Sequence, residues 1–357
     1  EILSVVPLIQ KLEKNKKIAQ ILITSNTLSS SKILNNLKLK KTIHQFYPID
    51  HSYFVNKFLK YWSPSIAIFI DSEIWPTMLT NIRSKSISLI LLNARINKRS
   101  FKKWTKIGLR ANALFNKFDL CLSSSNESKK HLDLLGANNI KYIGNLKFTE
   151  LETNKDSLEI NLRKFFLSKK IWCASSTHKT EEEIAAKVHI KLKKKDKNTL
   201  TIIIPRHINR VTEIKNNLEK LNLKVHIYSS MNKIHDDTDI YLVDAYGKTK
   251  MFFSICYTVF LGGSLIKHGG QNPLEAARFG CKILHGPNIW NFYEIYNLLN
   301  KIKVSYKVNN VTQITEKISL VDINSQNTKS IKSKLNTLGV KILKLTLKEI
   351  EYFIYKK

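Results

Sequence analysis

The sequence predicts an α/β protein made of two Rossmann-like domains facing a central cleft. Three observations carry this reading. Short apolar runs recur along both halves of the chain, separated by helical patterns, which is the signature of parallel sheets covered on both faces. The length of 357 residues suits two domains of ordinary size. The hydrophobic share of 43% is enough to give each a core.

In the first half, strand signals fall at Gln20–Thr24, Ile43–Tyr47, Ile66–Ile70, Ile87–Leu92, Asp119–Ser123 and Lys141–Ile143. Helical patterns lie between them, for example at Ser52–Tyr61 and Asn126–Leu135. The second half repeats the alternation, with strands at Lys170–Ala174, Leu200–Ile204, Lys224–Tyr228, Asp239–Val243, Tyr257–Leu261 and Lys282–Leu284. Its helices fall at Glu181–Lys194, Val211–Leu221 and around Leu274–Phe279. The polar stretch Thr149–Lys155 marks the boundary, so the expected domains are residues 1–148 and 149–334. A final helix in 335–357 is expected to cross back onto the first domain.

Composition narrows the function. The net charge is +31, and residues 1–147 hold 24 basic against 8 acidic side chains. Such a balance favours polyanionic partners, namely nucleic acid, an anionic membrane or a phosphorylated lipid. Part of it is compositional drift on solvated faces of a Lys-rich chain. The four cysteines, Cys121, Cys173, Cys256 and Cys281, stand apart in apolar runs and read as reduced, buried thiols. No cysteine or histidine spacing suggests a metal, and none is expected. No apolar run approaches the ~20 residues of a membrane span. The chain begins at Glu1, directly in an apolar helical pattern.

Residues 260–292 are the most informative stretch. A buried-strand pattern ends at Gly262-Gly263-Ser264, a loop carries Gly269-Gly270, and Asn272-Pro273-Leu274-Glu275 opens a short helix with Asn at the N-cap and Pro at N1. Glycines let a backbone approach a ligand closely, and a helix start offers free N–H groups to an anion. The expected object is a phosphate-and-sugar cradle beyond the end of a strand. The alternative is a well-capped helix with Glu275 as its capping partner.

This stretch resembles the donor site of the Kdo transferases, GT-B glycosyltransferases of family 30 that add 3-deoxy-manno-octulosonic acid (Kdo) to the lipid A precursor. Further segments match that family in the same order: Asp71-Ser72-Glu73-Ile74-Trp75-Pro76, Leu92-Asn93-Ala94-Arg95, Arg99-Ser100, Ile143-Gly144-Asn145-Leu146-Lys147-Phe148, Ala174-Ser175-Ser176-Thr177-His178 and Pro205-Arg206-His207. The resemblance implies a GT-B fold, CMP-Kdo as donor substrate, and lipid IVA or Kdo-lipid IVA as acceptor. It implies work at the cytoplasmic face of the bacterial inner membrane, with no cofactor. It also implies a hydrophobic anchor segment upstream of Glu1.

Several residues then acquire expected roles. Glu1 matches the family's catalytic base, and Glu73 either assists that base or binds the acceptor sugar; the alternative for Glu73 is an acid at a helix start. Arg206 follows a strand directly and suits a phosphate or carboxylate, with His207 beside it. Ser176, Thr177 and His178 precede Thr180-x-x-Glu183, so they either help a helix start hold phosphate or only cap it. Gly262, Gly263, Ser264, Gly269 and Gly270 form the cradle. Asn272 touches the phosphate region or caps its helix, and Glu275 binds ribose hydroxyls. Asn93, Arg95 and Arg99 are expected on the acceptor side.

The run Lys98-Arg99-Ser100-Phe101-Lys102-Lys103-Trp104 leaves three readings open: an anionic-lipid surface, a nucleic-acid patch, or an amphipathic helix with Phe101 and Trp104 turned to the core. The competing functions are a GT-B enzyme using a UDP-sugar, and a basic nucleic-acid-binding protein. The first fits the Trp75-Pro76 and Asn93-Ala94-Arg95 segments poorly. The second leaves the glycine cradle unexplained, so no nucleic-acid partner is expected.

Overall fold

The computed structural model describes residues 2–150, 158–231, 233–319 and 325–355. The chain divides into two compact units. Unit 1 comprises Glu1–Leu151 and Asn336–Lys357, and unit 2 comprises Glu152–Leu335. The last helix, Ser325–Tyr355, runs from one unit into the other.

Unit 1 carries β1 (Ile21–Ser25), β2 (Thr42–Phe46), β3 (Ile66–Ile70), β4 (Ser88–Ala94), β5 (Leu120–Ser123) and β6 (Ile140–Tyr142). All pairings are parallel, as the alternating pattern requires. They form two sheets rather than one: β1-β2 and β3-β4-β5-β6. The division follows burial. β4 and β5 are almost wholly buried, whereas no residue of β1 or β2 is, and β2 alternates polar Thr42, His44 and Gln45. The core of this unit joins Leu89 and Leu91 to Met78, Leu79 and Ile82 of the helix Pro76–Ser84. Asp50 caps that helix through the amides of Thr77 (3.1 Å) and Met78 (2.8 Å).

Three segments of unit 1 meet in a buried polar knot. Asn93, which is 1% exposed, donates its side-chain amide to Asp71 and accepts from the Leu146 amide at 2.9 Å. Asp71 and Asn93 both sit in the left-handed region, at φ 58 and 52. The pairing of β4 with β5 shifts register across Asn93. Short polar side chains tolerate that conformation best among non-glycine residues.

Among the described residues, unit 2 holds seven strands: β7 (Lys170–Thr177), β8 (Thr199–Pro205), β9 (Val225–Ile227), β10 (Ile240–Leu242), β11 (Thr258–Leu261), β12 (Lys282–His285) and β13 (Ser305–Lys307). The sheet order is β13-β12-β11-β7-β8-β10-β9, parallel throughout. This is a doubly wound sheet with β7 near its centre. Every residue of β8 is buried, as expected of a strand covered on both faces. The helix Glu181–Lys193 packs Ala185, Ala186, Val188 and Leu192 into the core with Ile203 and Leu242. Full burial of each large aliphatic side chain contributes about 1.5–3 kcal/mol.

A buried polar link fastens that helix to the sheet. His189 Nε2 lies 3.0 Å from Asp239 Oδ1, and its Nδ1 lies 2.9 Å from Thr201 Oγ1. Asp239 also receives Lys193 Nζ and the Lys224 amide. Burial pushes the Asp239 carboxyl up, but His189, Lys193 and the Lys224 amide outweigh it and hold the group well below its ordinary 3.8. A depressed carboxyl stabilises the fold above its ordinary value, and that contribution is lost as pH falls toward the depressed one. Asp239→Asn should therefore cost about 3 kcal/mol at pH 7 by urea unfolding. The gap between variant and parent should narrow below about pH 4. An equal gap at pH 3 and pH 7 would show that the charge is not what stabilises the link.

Candidate functional site

In unit 2 the site is built on the carboxyl ends of β7, β8 and β11. The pairing of β7 with β8 shifts register between Ser175 and Thr177, and Ser176 takes φ 55. A non-glycine residue there costs of order 1 kcal/mol and bends the chain out of the sheet. The bulge is held from both sides: Gly262 N donates to Ser175 O at 2.9 Å, and Arg206 N donates to Thr177 O at 3.0 Å.

One carboxylate organises the loops. Glu181 is fully buried. Its Oε2 accepts from His178 N (3.0 Å) and Gly263 N (2.7 Å), and its Oε1 from Ser264 N (3.2 Å) and Leu265 N (3.0 Å). The cradle amides expected to receive a phosphate are thus filled by the protein's own anion. The same holds for the helix start: Thr180 makes no cap, and Glu181, Glu182 and Glu183 occupy the first turn. The expected Thr180–Glu183 capping box is replaced by Glu181.

Chain packing already crowds these glycines. A Cβ on Gly262 would stand 2.4 Å from Ser176 O, and one on Gly269 would stand 2.6 Å from Trp290 Nε1. A Cβ on Gly270 would press against the Asn288–Ile289 backbone. Gly263, at φ 65, faces His268 and His178. Ser264 is buried and donates its hydroxyl to Leu261 O while accepting from Gly286 N at 2.8 Å.

Cationic and imidazole side chains gather above this scaffold. The His178 ring lies 4.2 Å from that of His268 and 5.7 Å from that of His207, centroid to centroid. His178 is buried, and its Nε2 and the Ser175 hydroxyl have no hydrogen-bond partner. Burial, followed by the charges of His268, His207, Arg206 and Arg210, lowers His178 to about 4. Arg210 is held by Glu182 at 3.1 Å and Glu213 at 3.5 Å, while Arg206 is exposed and forms no ion pair among the described residues. The arrangement suits an anion bearing several oxygens.

Asn272 and Glu275 stand at the next helix start, Leu274–Arg278. The helix begins one residue later than expected, so Pro273 takes the N-cap position and Asn272 Oδ1 accepts from Leu274 N at 3.1 Å. Asn272 therefore does cap, and Glu275 accepts from Thr249 Oγ1 at 3.3 Å.

In unit 1, Glu73 is exposed and accepts from Trp75 Nε1 at 2.8 Å. Trp75 lies against Tyr47 with centroids 5.3 Å apart. The Tyr47 hydroxyl is buried without a partner, and burial with the nearby Asp50 and Glu73 carboxylates pushes its phenol up. Asn93, expected on the acceptor side, is a buried strut of the polar knot between Asp71 and the Leu146 amide. Arg95 and Arg99 are exposed. Glu1 lies outside the described residues. In the helix Lys98–Thr105, Phe101 stacks on His131 at 4.4 Å and Trp104 meets Phe115 edge-on. Both aromatics pack on the core, so only the cations of that run face solvent. Among the described residues no helix is long and apolar enough to cross a membrane, and no three His, Cys, Asp or Glu side chains are grouped to hold a metal.

Residues 1–150 match the family model of the 3-deoxy-D-manno-octulosonic-acid transferases. The chain is 35% identical over 291 residues to the 3-deoxy-D-manno-octulosonic acid transferase of Rickettsia felis, covering 81% of this chain and 62% of the relative. It is 30% identical over 332 residues to the probable mitochondrial 3-deoxy-D-manno-octulosonic acid transferase of Arabidopsis thaliana, covering 89% and 72%. The chain belongs to the Kdo transferase family. It spans about 62% of the length of its Rickettsia relative. A solved glycosyltransferase structure from Rickettsia africae matches all of this chain and 94% of its own, with TM-score 0.60 at 13% identity. This Kdo transferase family member has the GT-B fold.

Sequence reading missed Glu181, Tyr47 and His268. Glu181 carried a signal, since an acid heads a helix after a strand, but three of its four partners are more than 80 residues away. In this family member, Glu181→Gln should orphan the amides that one carboxylate oxygen now receives, at about 1–3 kcal/mol each. Hydrogen exchange at Gly263, Ser264 and Leu265 should speed accordingly. Unchanged exchange with unchanged stability would remove Glu181 from the centre of the site.

Proposed function

We propose that this chain transfers Kdo from CMP-Kdo to lipid IVA, or to Kdo already attached to it, at the cytoplasmic face of the inner membrane. The observation that carries the reading is the His178, His207, His268 and Arg206 cluster at the strand ends of unit 2, in a member of the Kdo transferase family. The donor presents a phosphate and a carboxylate, and both suit these groups. Unit 2 is assigned the donor, with Glu275 on the ribose and Arg206 on the phosphate. Unit 1 is assigned the acceptor. Its Glu73, or Glu1, takes the proton from the acceptor hydroxyl as that oxygen displaces CMP directly, inverting the anomeric carbon. Stabilising the departing phosphate is assigned to protein groups, without a metal.

Purified full-length protein supplied with CMP-Kdo and lipid IVA should yield Kdo-lipid IVA by mass spectrometry, with or without EDTA. Arg206→Ala and Glu275→Ala should each weaken donor use about tenfold or more, the cost of one charge-assisted hydrogen bond. Unchanged kinetics in both folded variants would refute the donor assignment. Restoration by magnesium after EDTA would refute the assignment of the phosphate to protein groups.

The exposed cations Lys98, Arg99, Lys102 and Lys103 are assigned to the anionic membrane surface. The turn that follows adds exposed Ile107 and Leu109 beside Lys106 and Arg110, which suits shallow insertion among lipid headgroups. Each cation near such a surface contributes about 1 kcal/mol. Replacing the first four by Gln should reduce sedimentation with anionic vesicles at low salt and raise the KM for lipid acceptor, leaving donor KM unchanged. Equal vesicle binding by variant and parent across a salt series would sink this surface assignment.

A further inference from the structure

His268 lies between the Gly262-Gly263-Ser264 turn and the Gly269-Gly270 pair, and sequence reading assigns it no role of its own. The fold nevertheless brings its ring closer to His178 than any other histidine, at 4.2 Å and 38°. The two rings converge over Gly263. A Cβ placed there would stand 3.0 Å from His268 Nδ1 and 3.2 Å from His178 Nε2. Both nitrogens therefore lie close to one point, which a side chain larger than hydrogen would crowd.

His178 Nε2 is the telling atom. Its residue is 8% exposed, and no group of the protein satisfies it. A buried polar nitrogen left without a partner costs about 1–3 kcal/mol, which a ligand would recover. We propose that His178 and His268 act together as a two-imidazole receptor for a single phosphate group of the ligand. This inference rests on the reading above for the identity of the nucleotide alone.

The charges around the pair fit this role. His207 and Arg206 face His178 from the end of β8, and Arg210 from the turn beyond it. The carboxylates at its own helix start are already engaged, Glu181 by four main-chain amides and Glu182 by Arg210. The protein thus concentrates positive potential on a ring that burial keeps neutral. A bound phosphate reverses that balance and raises the proton affinity of His178. Binding therefore takes up protons, and affinity falls as pH rises. The phosphate of a departing nucleotide gains charge as its ester bond to the sugar breaks, so the pair would grip it harder during transfer than before.

Titration calorimetry on the full-length protein tests the pair, using CMP, cytidine, UMP and inorganic phosphate in two buffers of different ionisation heat. The parent should bind CMP with proton uptake and several-fold more tightly at pH 6 than at pH 8, whereas cytidine should show neither effect. His268→Asn, at an exposed position, should fold normally, bind CMP about tenfold more weakly and bind cytidine unchanged. Inorganic phosphate that reproduces the His268-dependent proton uptake would support phosphate as the group received. UMP binding as tightly as CMP with the same His268 dependence would uphold the receptor and overturn the CMP-Kdo reading. CMP binding unaffected by His268→Asn, equal losses for CMP and cytidine, or no phosphate-dependent binding by the parent would each overturn the proposal.

Discussion

The strand-end loops of unit 2 depend on one buried carboxylate. Glu181 takes four main-chain amides from two loops that are more than 80 residues apart in sequence. Main-chain N–H groups removed from water must find acceptors, and the turn Gly263-Ser264-Leu265 aims three of them at one point. An external anion there would hold the loop only while bound. A built-in anion holds it always, so the side chains of His178 and His268 are positioned before any ligand arrives. Pre-organisation of this kind removes the ordering cost from binding. It also explains Gly262, where a Cβ would stand 2.4 Å from Ser176 O and 2.8 Å from Glu181 Oε2.

The same strategy recurs in unit 1 with different chemistry. There a neutral amide, Asn93, bridges Asp71 at the end of β3 and the Leu146 turn. Both units place a non-glycine residue in the left-handed region where a strand slips register, Asn93 in one and Ser176 in the other. A parallel sheet ends all its strands on one edge, and a bulge there re-aims the chain without disturbing the ladder behind it. Strain at these points is sustained because buried hydrogen bonds on both sides leave the backbone no alternative.

This accounts for what sequence could and could not reveal. Strand β3 was legible to the residue, because Ile66–Ile70 is an unbroken apolar run. β13 was not, because three residues, Ser305-Tyr306-Lys307, carry no periodicity. The last helix was expected at 335 but begins at Ser325, since its first ten residues carry only one apolar side chain, Ile331, and show no helical periodicity. Arg206 and His178 were legible as strand-end residues. Asn93 was legible as special but not as a strut, because a polar residue after an apolar strand looks the same whether it faces solvent or a buried aspartate. Glu181 and His268 owe their importance to partners far along the chain, and no local pattern encodes such a meeting.

The distribution of charge separates two jobs that composition alone merges. The net charge of +31 is carried mostly by lysines, and only eight of the 59 basic residues are arginines. Two of those eight, Arg206 and Arg210, act on His178, and three histidines complete the cluster. Flexible, strongly hydrated lysine ammonium groups are suited to raising the local concentration of an anionic surface or substrate, an effect that salt screens within about 10 Å. Planar guanidinium and imidazole groups lose less freedom on binding and direct their donors. A site using them in a lysine-rich chain is selecting for geometry over charge. Charge alone would hold any polyanion, whereas two ring nitrogens brought close above one glycine can discriminate by geometry.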